Sequence, residues 1–352
     1  MNANKFSAAP GGRPKGRLHR CADWLSCDLV PLRIAYFGLP LGALLLAADG
    51  NEPSFCVLPP IEAPGLRRLK ARLGARVLSA AACGAQLEDA VEAELSREPP
   101  DLLVSWFWTR RLPAAWLERP RLGAIGVHPS LLPRHRGPNP YFWAIDCGDN
   151  ETGVSVHRLE AEYDTGAILE QERVSVGERN AWQLARALDR PSLRCLRRTV
   201  ARAAQGLPGG EPQNPAEVTL APEPRGDLLR ADFNWGTARV LRRIRALSPV
   251  PGLALSLADV PFFVTQACPS AEFTRALAPG EAEIARQRLV IRTSDGAIAV
   301  QKAVLCAEGA HKEEPGEDGL DEGEQVSAEE LAEHIGAQIA LTRGSSFNGR
   351  LG

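Results

Sequence analysis

The chain lacks the sequence features of several large protein classes. None of its eight cysteines forms a Cys-x-x-Cys pair, which disfavours a zinc site or a disulfide framework and predicts reduced thiols in a cytoplasmic protein. No apolar run reaches the ~18 residues that a bilayer-spanning helix needs, so we expect no membrane partner. The formal net charge is only −2. A nucleic-acid partner would therefore have to bind a local basic patch.

Common catalytic and phosphate-binding motifs are missing as well. The sequence contains no Gly-x-Ser-x-Gly, no His-Glu-x-x-His and no phosphate loop. The first strand-to-helix turn reads Gly38-Leu-Pro-Leu-Gly42 instead of Gly-x-Gly-x-x-Gly, and Pro40 removes a backbone donor from it. This difference argues against a dinucleotide-binding dehydrogenase, which is the structural alternative for such a turn.

The order of the apolar segments predicts the fold class. Between residues 32 and 205 short apolar runs alternate with helical patterns, which predicts a doubly wound, mainly parallel α/β sheet. After Gly252 short strands are separated by turn signals such as Pro279-Gly280, which predicts a small β-barrel. The length of 352 residues suits two domains. The predicted division is a disordered or mis-started tail at 1–31, a catalytic α/β domain at 32–205, a linker at 206–230 and a β-barrel domain at 231–345.

The most informative stretch runs from Ala124 to Leu169. The apolar run Leu122–Val127 predicts a buried strand that ends at His128, and Pro129 begins a proline-rich loop that cannot pair as a strand. Asp164 lies farther along, in a segment rich in turn-forming residues. A carboxylate on a loop beside the imidazole would orient the ring and stabilise its protonated form. The pattern is typical of an acid–base centre.

Three segments carry a resemblance to a known family: His128-Pro-Ser-Leu-Leu-Pro-Arg-His-Arg-Gly137, Gly148-Asp-Asn-Glu-Thr-Gly153 and Asp164-Thr-Gly-Ala-Ile-Leu169. In this order they resemble the 10-formyltetrahydrofolate-dependent formyltransferases, most closely the enzymes that act on methionyl-tRNA. The resemblance implies an α/β formyltransferase domain followed by a barrel of the oligonucleotide-binding type. It also implies 10-formyltetrahydrofolate as co-substrate, no metal, and charged initiator tRNA as the partner of a monomeric enzyme.

The resemblance implies roles for individual residues. His128 takes the acid–base or oxyanion-stabilising role, and Asp164 pairs with it. The family places an asparagine two residues before the histidine, where this chain has Gly126, and loss of one oxyanion donor costs about 100- to 1,000-fold in rate. Arg134 and Arg136 either bind the folate glutamate or an acceptor phosphate, or are solvated charges. The residues implied to contact the folate are Trp108, Leu112, Pro113, Gly126, Ser130, Leu131, Leu132, Pro133 and Tyr163.

Several other side chains have a structural interpretation beside a functional one. Trp106 and Trp108 either alternate onto one face and pack there, or line the folate pocket. We expect His135 to be exposed and His157 to be a structural residue of a strand. Asp149 is interpreted as a turn former whose carboxylate caps backbone groups.

The formyl acceptor has more than one interpretation. Methionyl-tRNA is the leading candidate, although segment 59–71, where tRNA-acting members carry a basic insertion, holds only Arg67, Arg68 and Lys70. The acidic segment Glu313–Glu324 would also repel phosphate. Another amine, on an amino sugar or a carrier-bound amino acid, is the alternative substrate. A catalytically silent paralogue that binds folate or RNA is the alternative outside the enzymes, because of Gly126.

Overall fold

The computed structural model describes residues 31–80, 85–207, 209–258, 260–272, 276–305, 324–342 and 349–350. The predicted tail at 1–31 lies outside the described residues except for Pro31, and so does the acidic segment except for Glu324. The described residues from Pro31 onwards belong to one compact unit.

A seven-stranded sheet forms the first part of the chain. Its strands follow the spatial order β3-β2-β1-β4-β5-β6-β7. The first five strands pair in parallel, and β6 and β7 are antiparallel, so the predicted mainly parallel α/β sheet is confirmed. The strands are β1 (Ile34–Gly38), β2 (Pro53–Leu58), β3 (Val77–Ser79), β4 (Leu102–Trp106), β5 (Ala124–His128), β6 (Glu151–Arg158) and β7 (Ile168–Ser175).

Helices cover both faces of this sheet because its central strands are apolar on both faces. Ile34 and Tyr36 of β1 belong to one core cluster, whereas Ala35 and Phe37 belong to another. Pro191 lies inside a single continuous helix, α6. The helices are α1 (Pro40–Ala48), α2 (Leu66–Leu73), α3 (Ala85–Arg97), α4 (Ala114–Leu117), α5 (Pro140–Asp146) and α6 (Ala181–Ala203).

The second part is an antiparallel half-barrel with the strand order β14-β10-β11-β12-β9-β8, in which β13 also pairs with β12. Strand β10 carries no sequence signal because its hairpin turns at Arg286 and Gln287, both at positive φ, without the usual Gly, Asn or Asp. The elements are α7 (Thr237–Ala246), β8 (Leu253–Leu257), β9 (Val260–Ser270), β10 (Glu281–Ala285), β11 (Arg288–Arg292), β12 (Ala297–Leu305), β13 (Glu324–Ser327), α8 (Ala328–Thr342) and β14 (Gly349–Arg350).

The segment predicted to be a linker is bonded to the α/β sheet. Glu211 and Ile168 exchange two backbone hydrogen bonds of 2.8 Å. The Ala221 N–H donates to the Arg136 carbonyl at 2.7 Å, and the Ala221 carbonyl accepts from Asn139 N–H at 3.0 Å. The segment therefore fixes the loop that follows β5. The predicted domain boundaries themselves stay a prediction.

Candidate active site

A cavity of about 400 Å³ lies at the carboxyl ends of β4 and β5. In α/β sheets this is the edge at which ligands bind. Two loops wall the cavity, residues 107–112 after β4 and residues 159–164 after β6. Arg111 joins these loops, because its Nε donates to the Ala161 carbonyl at 3.1 Å. The predicted site residues that line the cavity are Trp108, Leu112, Gly126, His128, Tyr163 and Asp164.

His128 and Asp164, the two residues predicted to be catalytic, meet in this cavity. His128 Nδ1 lies 3.5 Å from Asp164 Oδ1, and the His128 side chain is 8% exposed. The second carboxylate oxygen, Oδ2, accepts a hydrogen bond from the Gly137 N–H at 2.9 Å. Asp164 adopts a positive φ of 58°, a conformation that Asp tolerates better than most residues. The loop geometry thus aims the carboxylate at the imidazole.

A second imidazole, that of His157, lies near the same carboxylate oxygen. Its Nε2 is 3.5 Å from Asp164 Oδ1, and its ring lines the cavity. Burial lowers the pKa of His157 to about 4, although Asp164 acts in the opposite direction. The sequence prediction gave this residue a purely structural role. Its position opposite Gly126 in the β5–β6 register was the available signal, but it requires knowing that the two strands pair.

His135 corrects the expectation of an exposed side chain, since it is 2% exposed. Its Nε2 lies 2.7 Å from Asp149 Oδ2, and the same oxygen accepts from Arg134 Nε at 2.9 Å. Burial raises the pKa of Asp149, but hydrogen bonds from His135 and Arg134 outweigh it and hold the pKa below its usual range. Asp149 therefore anchors the loop after β5 and does more than form a turn.

Arg134 and Arg136, predicted to bind substrate, lie outside the cavity lining. Arg134 pairs with Asp149 as described. Arg136 Nε donates to Gln213 Oε1 at 3.0 Å, and the Gln213 amide donates to the Asp164 carbonyl at 2.8 Å and to the Gly166 carbonyl at 2.7 Å. In this structure both arginines hold the loops that carry the catalytic candidates.

The two tryptophans take different places. Trp106 is a core residue whose Nε1 donates to Ser192 Oγ at 3.0 Å. Phe107 then adopts a positive φ of 54° and interrupts the strand alternation that would have placed both indoles on one face. Trp108 packs beside Phe37 and lines the cavity. Its buried Nε1 has no hydrogen-bond partner among the described residues.

The other residues predicted to contact folate shape the surrounding loops. Pro113 is the N-cap residue of α4. Ser130 Oγ donates to the Arg134 carbonyl at 2.6 Å, and Ser155 Oγ donates to the Ser130 carbonyl at 2.7 Å while accepting from the Leu132 N–H at 3.0 Å. These bonds define the conformation of the loop after β5. The predicted residues outside the cavity lining are Pro113, Ser130, Leu131, Leu132 and Pro133.

Among the described residues, no group of three or more His, Cys, Asp and Glu side chains is arranged to hold a metal ion. Within the same ranges no helix has both the length and the apolar character required to cross a bilayer.

Comparison with known proteins identifies both parts of the chain. Residues 63–190 match the formyl transferase family, and residues 228–310 match the formyl transferase C-terminal domain. The chain is 35% identical over 200 residues to methionyl-tRNA formyltransferase of Koribacter versatilis, covering 56% of this chain and 63% of that protein. It is 34% identical over 189 residues to GDP-perosamine N-formyltransferase of Brucella melitensis, covering 51% of this chain and 69% of that protein.

A longer match and a solved structure extend this comparison. Methionyl-tRNA formyltransferase of Aromatoleum aromaticum is 30% identical over 303 residues, covering 82% of this chain and 93% of that protein. In fold, the chain is similar to HypX of Aquifex aeolicus in complex with tetrahydrofolic acid, with a TM-score of 0.60 at 19% identity, covering 91% of this chain and 51% of HypX. With matches in both domains and a relative aligned over nearly its full length, the chain belongs to the formyltransferase family.

Proposed function

We propose that the chain transfers a formyl group from 10-formyltetrahydrofolate to an amine. The observation that carries this proposal is the meeting of the His128 imidazole with the Asp164 carboxylate in one cavity. The cavity volume of about 400 Å³ lies within the range of small-molecule sites. The tetrahydrofolic acid in the HypX complex and the formyltransferase relatives support a folate as the formyl donor.

The lining of the cavity suits a polar heteroaromatic ring. Trp108 offers an apolar face and an unpaired indole N–H, and Leu112 extends the apolar wall. Tyr163, which is 55% exposed, stands at the loop that carries Asp164. We therefore assign the folate ring to the Trp108 side of the cavity and the formyl group to the His128 side.

The reaction needs one proton to move. The amine attacks the formyl carbon, a tetrahedral intermediate forms, and the bond from that carbon to N10 breaks. The amine nitrogen loses a proton and N10 gains one. Imidazole groups near the reacting atoms can carry out both proton transfers. His128 provides such a group, and Asp164 stabilises its protonated form.

We further propose methionyl-tRNA as the acceptor and a cytoplasmic monomer as the active form. The methionyl-tRNA formyltransferases among the relatives support this acceptor. A nucleotide-linked amino sugar is the second candidate, because the GDP-perosamine N-formyltransferase relative is 34% identical over a comparable stretch. The shortage of basic residues in segment 59–71 also favours an acceptor smaller than tRNA.

A single-turnover assay tests the proposal. The purified protein is mixed with 10-formyltetrahydrofolate and either methionyl initiator tRNA or a GDP-linked amino sugar, and formylated product is quantified by mass spectrometry. Formylation of the tRNA supports the first acceptor, and formylation of the sugar alone supports the second. Tight binding of tetrahydrofolate without transfer to either acceptor, or to hydroxylamine as a generic amine, would contradict the enzymatic proposal and favour a silent folate-binding protein.

A further inference from the structure

Gly126 and His157 stand opposite each other in the β5–β6 strand pair, as Cα partners in its antiparallel register. Side chains at paired positions project from the same face of a sheet. A Cβ added to Gly126 would lie 3.1 Å from His157 Nε2 and 2.6 Å from Leu159 Cδ2. The imidazole of His157 therefore lies where a side chain at residue 126 would have to extend. The absence of a side chain at residue 126 therefore leaves space for the His157 imidazole.

Backbone carbonyls fix one proton on each imidazole. His128 Nε2 lies 2.8 Å from the His135 carbonyl oxygen, and His157 Nδ1 lies 2.8 Å from the Arg158 carbonyl oxygen. A carbonyl oxygen only accepts hydrogen bonds, so both of these nitrogens are protonated. The nitrogens left over, His128 Nδ1 and His157 Nε2, each lie 3.5 Å from the same atom, Asp164 Oδ1.

This arrangement suits a single mobile proton. When both rings are neutral, two nitrogen lone pairs face one carboxylate oxygen, and the three atoms repel one another. A proton on either nitrogen converts this repulsion into a charge-assisted hydrogen bond to Asp164. A second proton would place two cations at one carboxylate within a site where His157 is 2% and His128 is 7% exposed. Separations of 3.5 Å are long for hydrogen bonds, but catalytic contacts often tighten only when substrate is bound.

The surroundings keep His157 neutral. Burial lowers its pKa to about 4; Asp164 opposes this shift, whereas the Arg136 guanidinium and a proton on His128 add to it. Asp164, His128 and Arg136 act on the ring from neighbouring loops and strands, and the Arg158 carbonyl acts from its own strand. At neutral pH the Nε2 atom is consequently an unprotonated acceptor in the cavity wall.

Building on the proposed formyl transfer, we propose that His157 is a second catalytic imidazole, which accepts the proton that the attacking amine loses and works in the space that Gly126 leaves open. The amine nitrogen bonds to the formyl carbon and gives one proton to His157 Nε2. This proton passes by way of Asp164 Oδ1 to His128 Nδ1. His128 protonates N10 as the bond between N10 and the formyl carbon breaks, so the enzyme ends the cycle in its starting protonation state.

The first test measures transfer to hydroxylamine, which does not depend on the identity of the natural acceptor. We expect His157→Gln to lower the single-turnover rate by about 100-fold or more, while the affinity for 5-formyltetrahydrofolate stays within about threefold of wild type. Free imidazole should restore at least about tenfold to His157→Ala, which would not happen if His157 were only structural. His334→Gln, at an exposed position of α8, is the matched control and should behave as wild type.

The second test uses the pairing of residues 126 and 157. Gly126→Asn alone should lower the rate, because the new side chain displaces the His157 ring. Combined with His157→Ala, the same substitution should raise the rate at least about tenfold over His157→Ala, since an amide donor then fills the vacated space. A rate gain from Gly126→Asn in the presence of His157 would overturn the proposal.

Two further outcomes separate this inference from the proposed function. Absence of all transfer by the wild-type protein contradicts the proposed function and the inference together. Retention of the wild-type rate by His157→Gln contradicts the inference alone. A ¹⁵N spectrum of labelled histidine supplies a readout without turnover: we expect neutral His157 with its proton on Nδ1 at pH 7, and a charged ring or a proton on Nε2 would overturn the proposal.

Discussion

Two carboxylates of this protein each lie between two basic side chains, but their surroundings differ. Asp146 accepts hydrogen bonds from Arg239 Nη1 at 2.7 Å and from Arg243 Nε and Nη2 at 2.7 and 3.0 Å. Asp164 lies 3.5 Å from each of two imidazoles. The Asp146 side chain is 3% exposed and that of Asp164 is 14% exposed. One group is closed and fully paired, and the other is loosely arranged around a cavity.

This contrast separates a structural ion-pair cluster around Asp146 from the proposed reactive group, which consists of Asp164, His128 and His157. Guanidinium groups keep their proton at any ordinary pH, so the Asp146 cluster has a single protonation state and holds α5 against α7. Arg243 also donates to the Leu228 and Arg230 carbonyls at 3.0 and 2.8 Å, so it connects Asp146 to the segment that precedes α7. Imidazoles exchange protons near neutral pH, and the long contacts at Asp164 leave room for a substrate.

Removal of the Asp164 charge should reduce the rate of formyl transfer more strongly than the other substitutions do. Asp164→Asn should lower the single-turnover rate of formyl transfer by about 100- to 10,000-fold, because the neutral amide no longer stabilises a proton on either imidazole. The midpoint of thermal unfolding should change little, since the amide oxygen can still accept the Gly137 N–H. Quench-flow kinetics and calorimetry measure the two effects. A rate within about tenfold of wild type would remove Asp164 from the mechanism.

A substitution in the Asp146 cluster should instead affect mainly the stability of the protein. Arg243→Met leaves a buried carboxylate with only Arg239 as partner, and removal of one member of a buried pair costs about 3–5 kcal/mol in the free energy of unfolding. Urea unfolding followed by fluorescence measures this change. Arg239→Met is the matched control and should cost less, because the Arg239 side chain is 30% exposed whereas that of Arg243 is 4% exposed. Equal losses would contradict this view of the cluster.

The sequence predicted the residues around Asp164 better than those around Asp146. His128 was predicted because it ends an apolar run that marks a strand, and Asp164 because it lies in a segment rich in turn-forming residues. Both signals are local in the sequence. Asp146 carried no signal, because α5 follows a proline-rich loop and its partners lie about a hundred residues away along the chain. His157 was assigned to a strand correctly, but its role depends on the register of β5 against β6, which no local pattern specifies. His135 was expected to be exposed, and only the tertiary contact with Asp149 explains its burial.

The elements of the fold also differ in whether a local sequence pattern predicts them. The parallel strands were predicted because continuous apolar runs mark them. Helix α6 continues through Pro191, although proline usually interrupts a helix. The hairpin at Arg286 and Gln287 was missed because neither residue type signals a turn. The segment around Gln213 was classified as a linker by composition, although its hydrogen bonds to the active-site loops are long-range and leave no compositional trace.

A fall in pH should destabilise the protein through His157 before it does so through Asp146. This effect on stability is expected to be smaller than the effects of the substitutions above. The pKa of His157 is about 4 in the folded protein against an ordinary value of 6.5. As the pH falls below 6.5 the unfolded chain therefore binds a proton before the folded protein does, and the free energy of unfolding decreases between pH 6.5 and about 4.

Asp146 behaves differently in the same titration. Burial raises its pKa, but hydrogen bonds from Arg243 and Arg239 outweigh burial and hold the pKa below its usual value of 3.8. Its contribution is present above this value and is lost only at lower pH. Urea unfolding at pH 7, 6 and 5 should show a slope that His157→Gln reduces and Arg243→Met leaves in place. An unchanged slope in His157→Gln would contradict the assigned cause.

The smallest expected effect concerns the support of the reactive group. Gln213 donates to the Asp164 and Gly166 carbonyls and accepts from Arg136, whereas Arg239 and Arg243 bind the Asp146 carboxylate directly. Gln213→Ala removes hydrogen bonds worth about 0.5–1.5 kcal/mol each, so we expect a rate loss of about tenfold or less. Asp164 keeps its bond to the Gly137 N–H, and the pH dependence of the rate should stay that of wild type. A loss as large as that of Asp164→Asn would mean that the loop, and not the carboxylate it carries, limits the reaction.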